Sequence, residues 1–212
     1  MNTPHRTSSL PIWLIVAAAV AAAIGLWLGQ RLFSAAQPPQ LVNAVLYPAP
    51  RAIPEFHLTR ADGQPLTLAD WRGRWTVVYF GYTRCPDVCP TTLATFKQVW
   101  KDLAERGVGD KMRFDFISVD PQRDTPEVLH NYVSYFDPDF VAATGPDSEL
   151  TLLTRAMGLM YSRRTDANGT ISVEHSGAAV IVDPQAREAG ILRPPFAAKA
   201  VASDLVTLAA SR

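Results

Sequence analysis

Both cysteines of the 212-residue chain, Cys85 and Cys89, fall within the run from Gly81 to Leu93, with only Pro86, Asp87 and Val88 between them. A chain of this length that keeps two cysteines, and keeps them together, uses them for chemistry or for a local staple. Trp75 to Phe80, just before them, alternates and branches like a buried strand, and Thr91 to Ala104 carries Leu93, Phe96, Val99, Trp100 and Leu103 at helical spacing. The sulfurs are therefore expected at a strand-to-helix junction. There the unpaired N–H groups of the first helical turn and the helix dipole favour thiolate over thiol. Pro90 suits that turn because it needs no N–H, which puts Cys89 at or beside the helix cap and Cys85 one turn earlier. If the segment is helix-like, a separation of four residues brings both side chains to one face. Two soft sulfurs that converge have two uses, reversible disulfide formation and binding of a soft metal ion. A structural disulfide is the plainer alternative, but closing so short a loop removes little chain entropy.

A third donor has to come from elsewhere. Of the four histidines, only His175 follows a hairpin strand and precedes Ser176 and Gly177, so it can sit on a loop at a sheet end. His5 belongs to the leader, His57 alternates within a strand, and His130 shares a helix with Leu129 and Val133. Histidine is the commonest metal ligand, but spacing alone does not make His175 one. Met112, Met157 and Met160 have apolar neighbours and are expected to pack in the core rather than bind metal.

The elements that must hold the bend are expected in the following order. Ile53 to Thr59 suits a strand, Ala61 to Gln64 a turn, Leu66 to Leu68 a returning strand and Asp70 to Gly73 another turn. After the cysteine helix, Met112 to Val119 alternates as a strand. Asp124 or Thr125 caps a helix that has Pro126 in its first turn. Phe140 to Ala143 suits a short strand, and Ser148 to Met160 a helix with Leu150, Leu153, Met157 and Met160 inward. Tyr161 to Arg164 and Thr170 to Glu174 flank Ala167-Asn168-Gly169, a strong hairpin signal. Ala178 to Val182 is a further strand, Asp183-Pro184 a turn, and Ala197 to Ala209 a last helix. Strands alternating with helices predict an α/β fold with a central sheet of mixed direction and helices on both faces. A dithiol at the end of a sheet strand, opening a helix, makes that fold thioredoxin-like.

Twenty basic and 20 acidic residues leave no surplus to neutralise phosphates, which argues against a nucleic-acid partner. The apolar excess is local. From Leu10 to Gly29 no residue is charged, a length that spans a bilayer as one helix, with Trp13 and Trp27 near its two ends. The competing assignment is a signal peptide cleaved near Phe33 to Ala36, although the apolar run exceeds the usual length of such a region. Arg6 before the span and Arg31 after it barely favour a cytoplasmic N-terminus. The short leader lacks the character of an organelle transit peptide, which points to a bacterial inner membrane, with the soluble domain in the periplasm. Residues 1–9 are thus a cytoplasmic leader and 10–30 a single-pass anchor. Residues 31–50, with Pro38, Pro39, Pro48 and Pro50, form a semi-extended linker, and 51–212 a single domain.

Three runs occur in order: Gly81 to Pro90, Ser118 to Pro126 (Ser-Val-Asp-Pro-Gln-Arg-Asp-Thr-Pro), and Glu174-His175-Ser176. Together they resemble the signatures of the Sco/SenC family, and the similarity covers the chain from about Arg51 to its end. The Cys-Pro-Asp-Val-Cys-Pro motif is the specific one, and the other two support it. This resemblance implies a thioredoxin-fold, membrane-tethered copper metallochaperone that helps assemble the dinuclear copper centre of cytochrome c oxidase. It implies Cys85, Cys89 and His175 as copper ligands, and a copper-accepting oxidase subunit as partner. The family usually has Asp where this chain has Glu174. Asp120 and Asp124 match the family too, but turn and cap roles account for them. Two sulfurs and an imidazole suit Cu(I), and the imidazole extends the range to Cu(II). Zinc held by the same trio with a water ranks below copper. The alternative function is a thiol-disulfide oxidoreductase in which Cys85 and Cys89 are the redox-active pair that reduces the acceptor's cysteines. A peroxidase fits the local motif less well. The domain faces an oxidising compartment, so a thiol reductant is expected as a further partner beside a copper donor.

Overall fold

The computed structural model describes residues 11–33, 40–165 and 171–210. The leader, the Phe33 to Ala36 cleavage signal beyond Phe33 and the Asn168-Gly169 turn lie outside the described residues. The chain divides into two units, Met1–Pro39 and Gln40–Arg212. The first contains the helix α1 (Ile12–Phe33), of which Ile12–Gln30 is long and apolar enough to cross a membrane, as a signal sequence near an N-terminus also is.

The second unit is built on an eight-stranded sheet. Its strands are β1 (Ala44–Ala52), β2 (His57–Arg60), β3 (Pro65–Thr67), β4 (Trp75–Gly81), β5 (Met112–Ser118), β6 (Val141–Thr144), β9 (Ala179–Val182) and β10 (Arg187–Leu192), in the order β1-β10-β9-β4-β5-β6-β2-β3. β4–β5 and β5–β6 pair in parallel and the other neighbours antiparallel, so the sheet is mixed as expected. Among the described residues, β7 (Tyr161–Thr165) and β8 (Ile171–His175) pair only with each other. The helices α2 (Val88–Glu105), α3 (Pro126–Ser134), α4 (Asp147–Ala156) and α5 (Ala198–Ala210) flank the sheet.

The pattern of β4 explains its central place. From Thr76 to Gly81 every residue is buried, as a strand covered on both faces requires. α2 turns Leu93, Phe96, Val99, Trp100 and Leu103 inward, the stripe expected from its spacing. Phe96 and Trp100 meet Phe114 of β5 at ring separations of 4.8 and 5.6 Å, and Phe114 meets Phe140 at 4.4 Å. This aromatic cluster seats α2 on the sheet, and with it the helix end that carries the sulfurs. On α3, Thr125 rather than Asp124 is the cap, its hydroxyl accepting the N–H of Val128.

Three expectations need correction. Residues 44–50, assigned to the linker, are part of β1. Asp204 of α5 is buried, and its carboxylate accepts the N–H groups of Val42, Asn43 and Ala44 at 2.7–2.9 Å, fastening this segment to the domain. Pro48 and Pro50 are tolerated because β1 is an edge strand and its register shifts between Leu46 and Arg51. The helix expected to Met160 stops at Ala156, so Met157 is buried as expected but Met160 is 77% exposed. Residues 53–56, expected as strand, precede β2, although Ile53 and Phe56 are buried.

Candidate metal centre

β4 ends at Gly81 and α2 begins at Val88, so the cysteine loop is the junction its sequence predicts. Cys89 is the second residue of α2 and Pro90 the third. The N–H of Cys89, one of those without an intrahelical acceptor, donates to Cys85 Sγ at 3.3 Å. The first sulfur thus completes the helix start that holds the second. Gly81 is required here by close approach: a Cβ at this position would come within 2.8 Å of the Phe116 ring and 2.9 Å of Cys89 Sγ.

Behind the loop, Asp124 is fully buried. Its carboxylate accepts from Thr83 N at 2.9 Å, Thr83 Oγ1 at 2.6 Å and Ser118 Oγ at 2.5 Å. Asp124 therefore braces the residues that lead into Cys85, a role its position in a helix-start motif concealed. Asp120 pairs with Arg123 at 2.5 Å. Neither carboxylate belongs to the group of ligand atoms around the sulfurs.

His175 closes the site from the other side. It ends β8, and its Nε2 lies 3.4 Å from Cys89 Sγ. The ligand atoms of Cys85, Cys89 and His175 all lie within 4.8 Å of one another. The imidazole sits edge-on to the rings of Tyr79 and Tyr82, at centroid distances of 5.9 and 6.1 Å. Its Nδ1 faces the Ser176 carbonyl at 3.1 Å. A carbonyl only accepts, so Nδ1 carries the hydrogen and Nε2 turns its lone pair toward the sulfurs. Burial lowers the pKa of His175 and so favours the neutral ring, the form that binds a metal. His57 and His130, set aside from the sequence, are exposed and take no part.

The thiols are free, Cys85 half-buried and Cys89 buried. The expected ease of ionisation does not hold for Cys89. Burial pushes its thiol up to about 12, outweighing the backbone hydrogen bonding that works the other way. The sequence argument counted the helix dipole and missed how deeply the sulfur is buried, which outweighs even the Tyr79 hydroxyl hydrogen-bonded to it. A proton on Cys89 can therefore be held against Nε2 of His175 until a cation replaces it. The donor set of two sulfurs and one imidazole fits a soft ion of low coordination number. A groove of about 310 Å3 lined in part by Tyr82, Cys85, Val88, Val173 and His175 opens the site to the surface. Glu174 also lines the rim of this groove. It alternates with His175 along β8, and its carboxylate meets Arg164 at 3.5 Å with both side chains mostly exposed.

A thioredoxin-like domain with a dithiol just after a central strand of the sheet, and an imidazole laid over it, defines a class of metal- and thiol-handling proteins. Within that class, the chain belongs to the SCO1/SenC family, whose model matches residues 46–210. A candidate copper-binding protein of Stutzerimonas stutzeri is 37% identical over 154 residues, which are 73% of this chain and 75% of that protein. The crystal structure of Arabidopsis thaliana ScoI with copper bound matches with a TM-score of 0.68 at 29% identity, over 73% of this chain and 96% of that one. BsSco, described as a member of the Sco family of cytochrome c oxidase assembly proteins with a disulfide switch, shares the fold. There the TM-score is 0.62 at 19% identity, over 79% of this chain and 99% of that one. The mitochondrial Sco1 homologues of Arabidopsis thaliana, mouse and human are longer, and the match covers 39%, 46% and 43% of their lengths.

Proposed function

We propose that this chain is a membrane-tethered copper chaperone. Cys85 Sγ, Cys89 Sγ and His175 Nε2 hold one copper ion and pass it to the copper-accepting subunit of cytochrome c oxidase during its assembly. The observation that carries this reading is the convergence, within 4.8 Å, of two sulfurs and a neutral imidazole from segments 86 residues apart. Two thiolates and one imidazole suit Cu(I), and the nitrogen extends the range to Cu(II). The copper named for the Stutzerimonas and Arabidopsis relatives supports the choice of metal. With Cu(I) bound the centre carries net negative charge, which the N-terminus of α2 offsets. The half-buried sulfur of Cys85 lets an acceptor's ligands take the ion in steps. α1 anchors the chain in a bacterial inner membrane with the copper domain in the periplasm. A copper donor loads it, and a thiol reductant keeps the pair open in that oxidising compartment.

X-ray absorption on the reduced, copper-loaded protein tests this directly. Two sulfurs and one nitrogen at one copper per chain are expected; a shell without nitrogen, or with more than two sulfurs, counts against it.

The free, adjacent thiols favour a second reading, a thiol-disulfide oxidoreductase acting on the acceptor's cysteines. Cys85 attacks the acceptor's disulfide and Cys89 resolves the mixed disulfide. Two thiols here become one disulfide, and two electrons and two protons pass to the acceptor's sulfurs. This chemistry needs no imidazole, so His175→Ala separates the readings: it removes copper binding from the first and spares the second.

A further inference from the structure

Among the described residues, the hairpin that carries His175 joins no strand of the main sheet, so ladder hydrogen bonds to that sheet do not fix the imidazole over the sulfurs. Register puts Tyr161 opposite His175 and Arg163 opposite Val173. With the two-residue period of a strand, these four side chains share one face. Val173 is buried on that face, and Arg163 reaches from it with its whole guanidinium fork. Nε donates to the Val119 carbonyl at 2.9 Å, and Nη2 donates to the same oxygen. Nη1 and Nη2 donate to the Asp147 carboxylate at 2.6 and 2.7 Å. The Arg163 side chain is only 18% exposed. Val119 in turn donates its N–H to the carbonyl of Gly81, the last residue of β4 before the cysteine loop. Asp147 opens α4 and also accepts from the Tyr161 hydroxyl at 2.9 Å. The Arg163 guanidinium thus ties the histidine hairpin to the end of the sheet from which the cysteine loop departs.

We infer that Arg163 is a positioning residue for the metal centre: its fork fixes the hairpin over the sheet and so keeps His175 Nε2 within reach of Cys89 Sγ. The inference rests on His175 being a copper ligand. The planar fork matters as well as the charge, because a lysine can pair with Asp147 as a point charge but cannot grip carboxylate and carbonyl together.

The test uses the full-length chain in detergent, as wild type, His175→Ala, Arg163→Ala and Arg163→Lys. Cu(I) affinity is measured by chelator competition, the copper shell by X-ray absorption, and the dithiol-disulfide potential by glutathione equilibration. Arg163→Ala is expected to lose about 10- to 100-fold in Cu(I) affinity, the range for residues that orient a metal ligand. It should also lose order in the nitrogen shell, keep the wild-type potential, and recover affinity with added imidazole. Arg163→Lys should fall between it and wild type. Wild-type affinity and an intact nitrogen shell in Arg163→Ala, while His175→Ala loses both, would overturn the inference. A potential that moves with the affinity overturns it too, since Arg163 would then support the domain as a whole. Wild-type copper binding by His175→Ala removes the ligand assignment itself, and the inference falls with it.

Discussion

The cysteine loop continues from β4, a strand paired with β5 along its whole length and with β9 on its other edge. Among the described residues the strands of the histidine hairpin pair only with each other, and the hairpin rests on the domain through contacts that include the side chains of Tyr161, Arg163 and Val173. Main-chain ladders tolerate the loss of any one side chain far better than a docked hairpin does. On the proposed reading the difference separates two chemistries in one site: dithiol exchange would depend on the ladder-held loop alone, and metal binding would need both segments in register. Changes on the face of the hairpin that carries His175 and Arg163 should therefore weaken copper binding without touching the thiols, and changes in the loop should affect both.

The largest effect is expected from Cys89→Ser, which leaves one sulfur. Cu(I) binding should disappear in chelator competition, and thiol counting after oxidation should find no intramolecular disulfide. Retained copper binding would break the comparison, because the loop would then be dispensable for metal. Next comes His175→Ala. Its loss of Cu(I) affinity should exceed the roughly 10- to 100-fold typical of residues that only support a ligand, with the dithiol potential within about 30 mV of wild type, which is tenfold in the equilibrium constant. Gly81→Ala probes the ladder-held side. The added Cβ would crowd Cys89 Sγ at 2.9 Å and the Phe116 ring at 2.8 Å, so denaturant titration should show a loss of about 1–3 kcal/mol. Copper affinity and dithiol potential should shift together there, unlike in any hairpin variant. The smallest effect belongs to Glu174→Asp. Its side chain is mostly exposed and its carboxylate meets Arg164 at 3.5 Å, so stability should change by less than about 0.5 kcal/mol and copper affinity should hold. A clear fall in affinity would mean that the exposed face of the hairpin takes part in the site.

The sulfur half of the site was legible in the sequence because it is local. Strand, bend and helix follow one another, and each has its own period and punctuation. His175 was different: its neighbours marked a hairpin end, but only the family resemblance chose it as a ligand, since the partnership with Cys89 is made by tertiary packing. Arg163 carried no signal, because an arginine in a polar strand looks like any solvated residue until Val119 and Asp147 are brought to it. The prolines of β1 disguised an edge strand as a linker. β10 went unexpected because Arg187, Glu188 and Gly190 weaken its pattern. Gly190 held the clue, as a Cβ there would fall 2.3 Å from the Val45 carbonyl, the mark of two backbones in close approach. The ionisation of Cys89 was misjudged for a related reason: a helix start is visible in sequence, but the burial that opposes it is not.

The grip of Asp204 on Val42, Asn43 and Ala44 has a mechanical consequence. A tug on the chain ahead of residue 42 is first taken up by three charge-assisted bonds anchored in α5, and then by the β1–β10 edge of the sheet. β9 and β10 stand between that edge and β4. Such a pull is thus met at the rim of the domain, two strands away from the one that leads to the sulfurs.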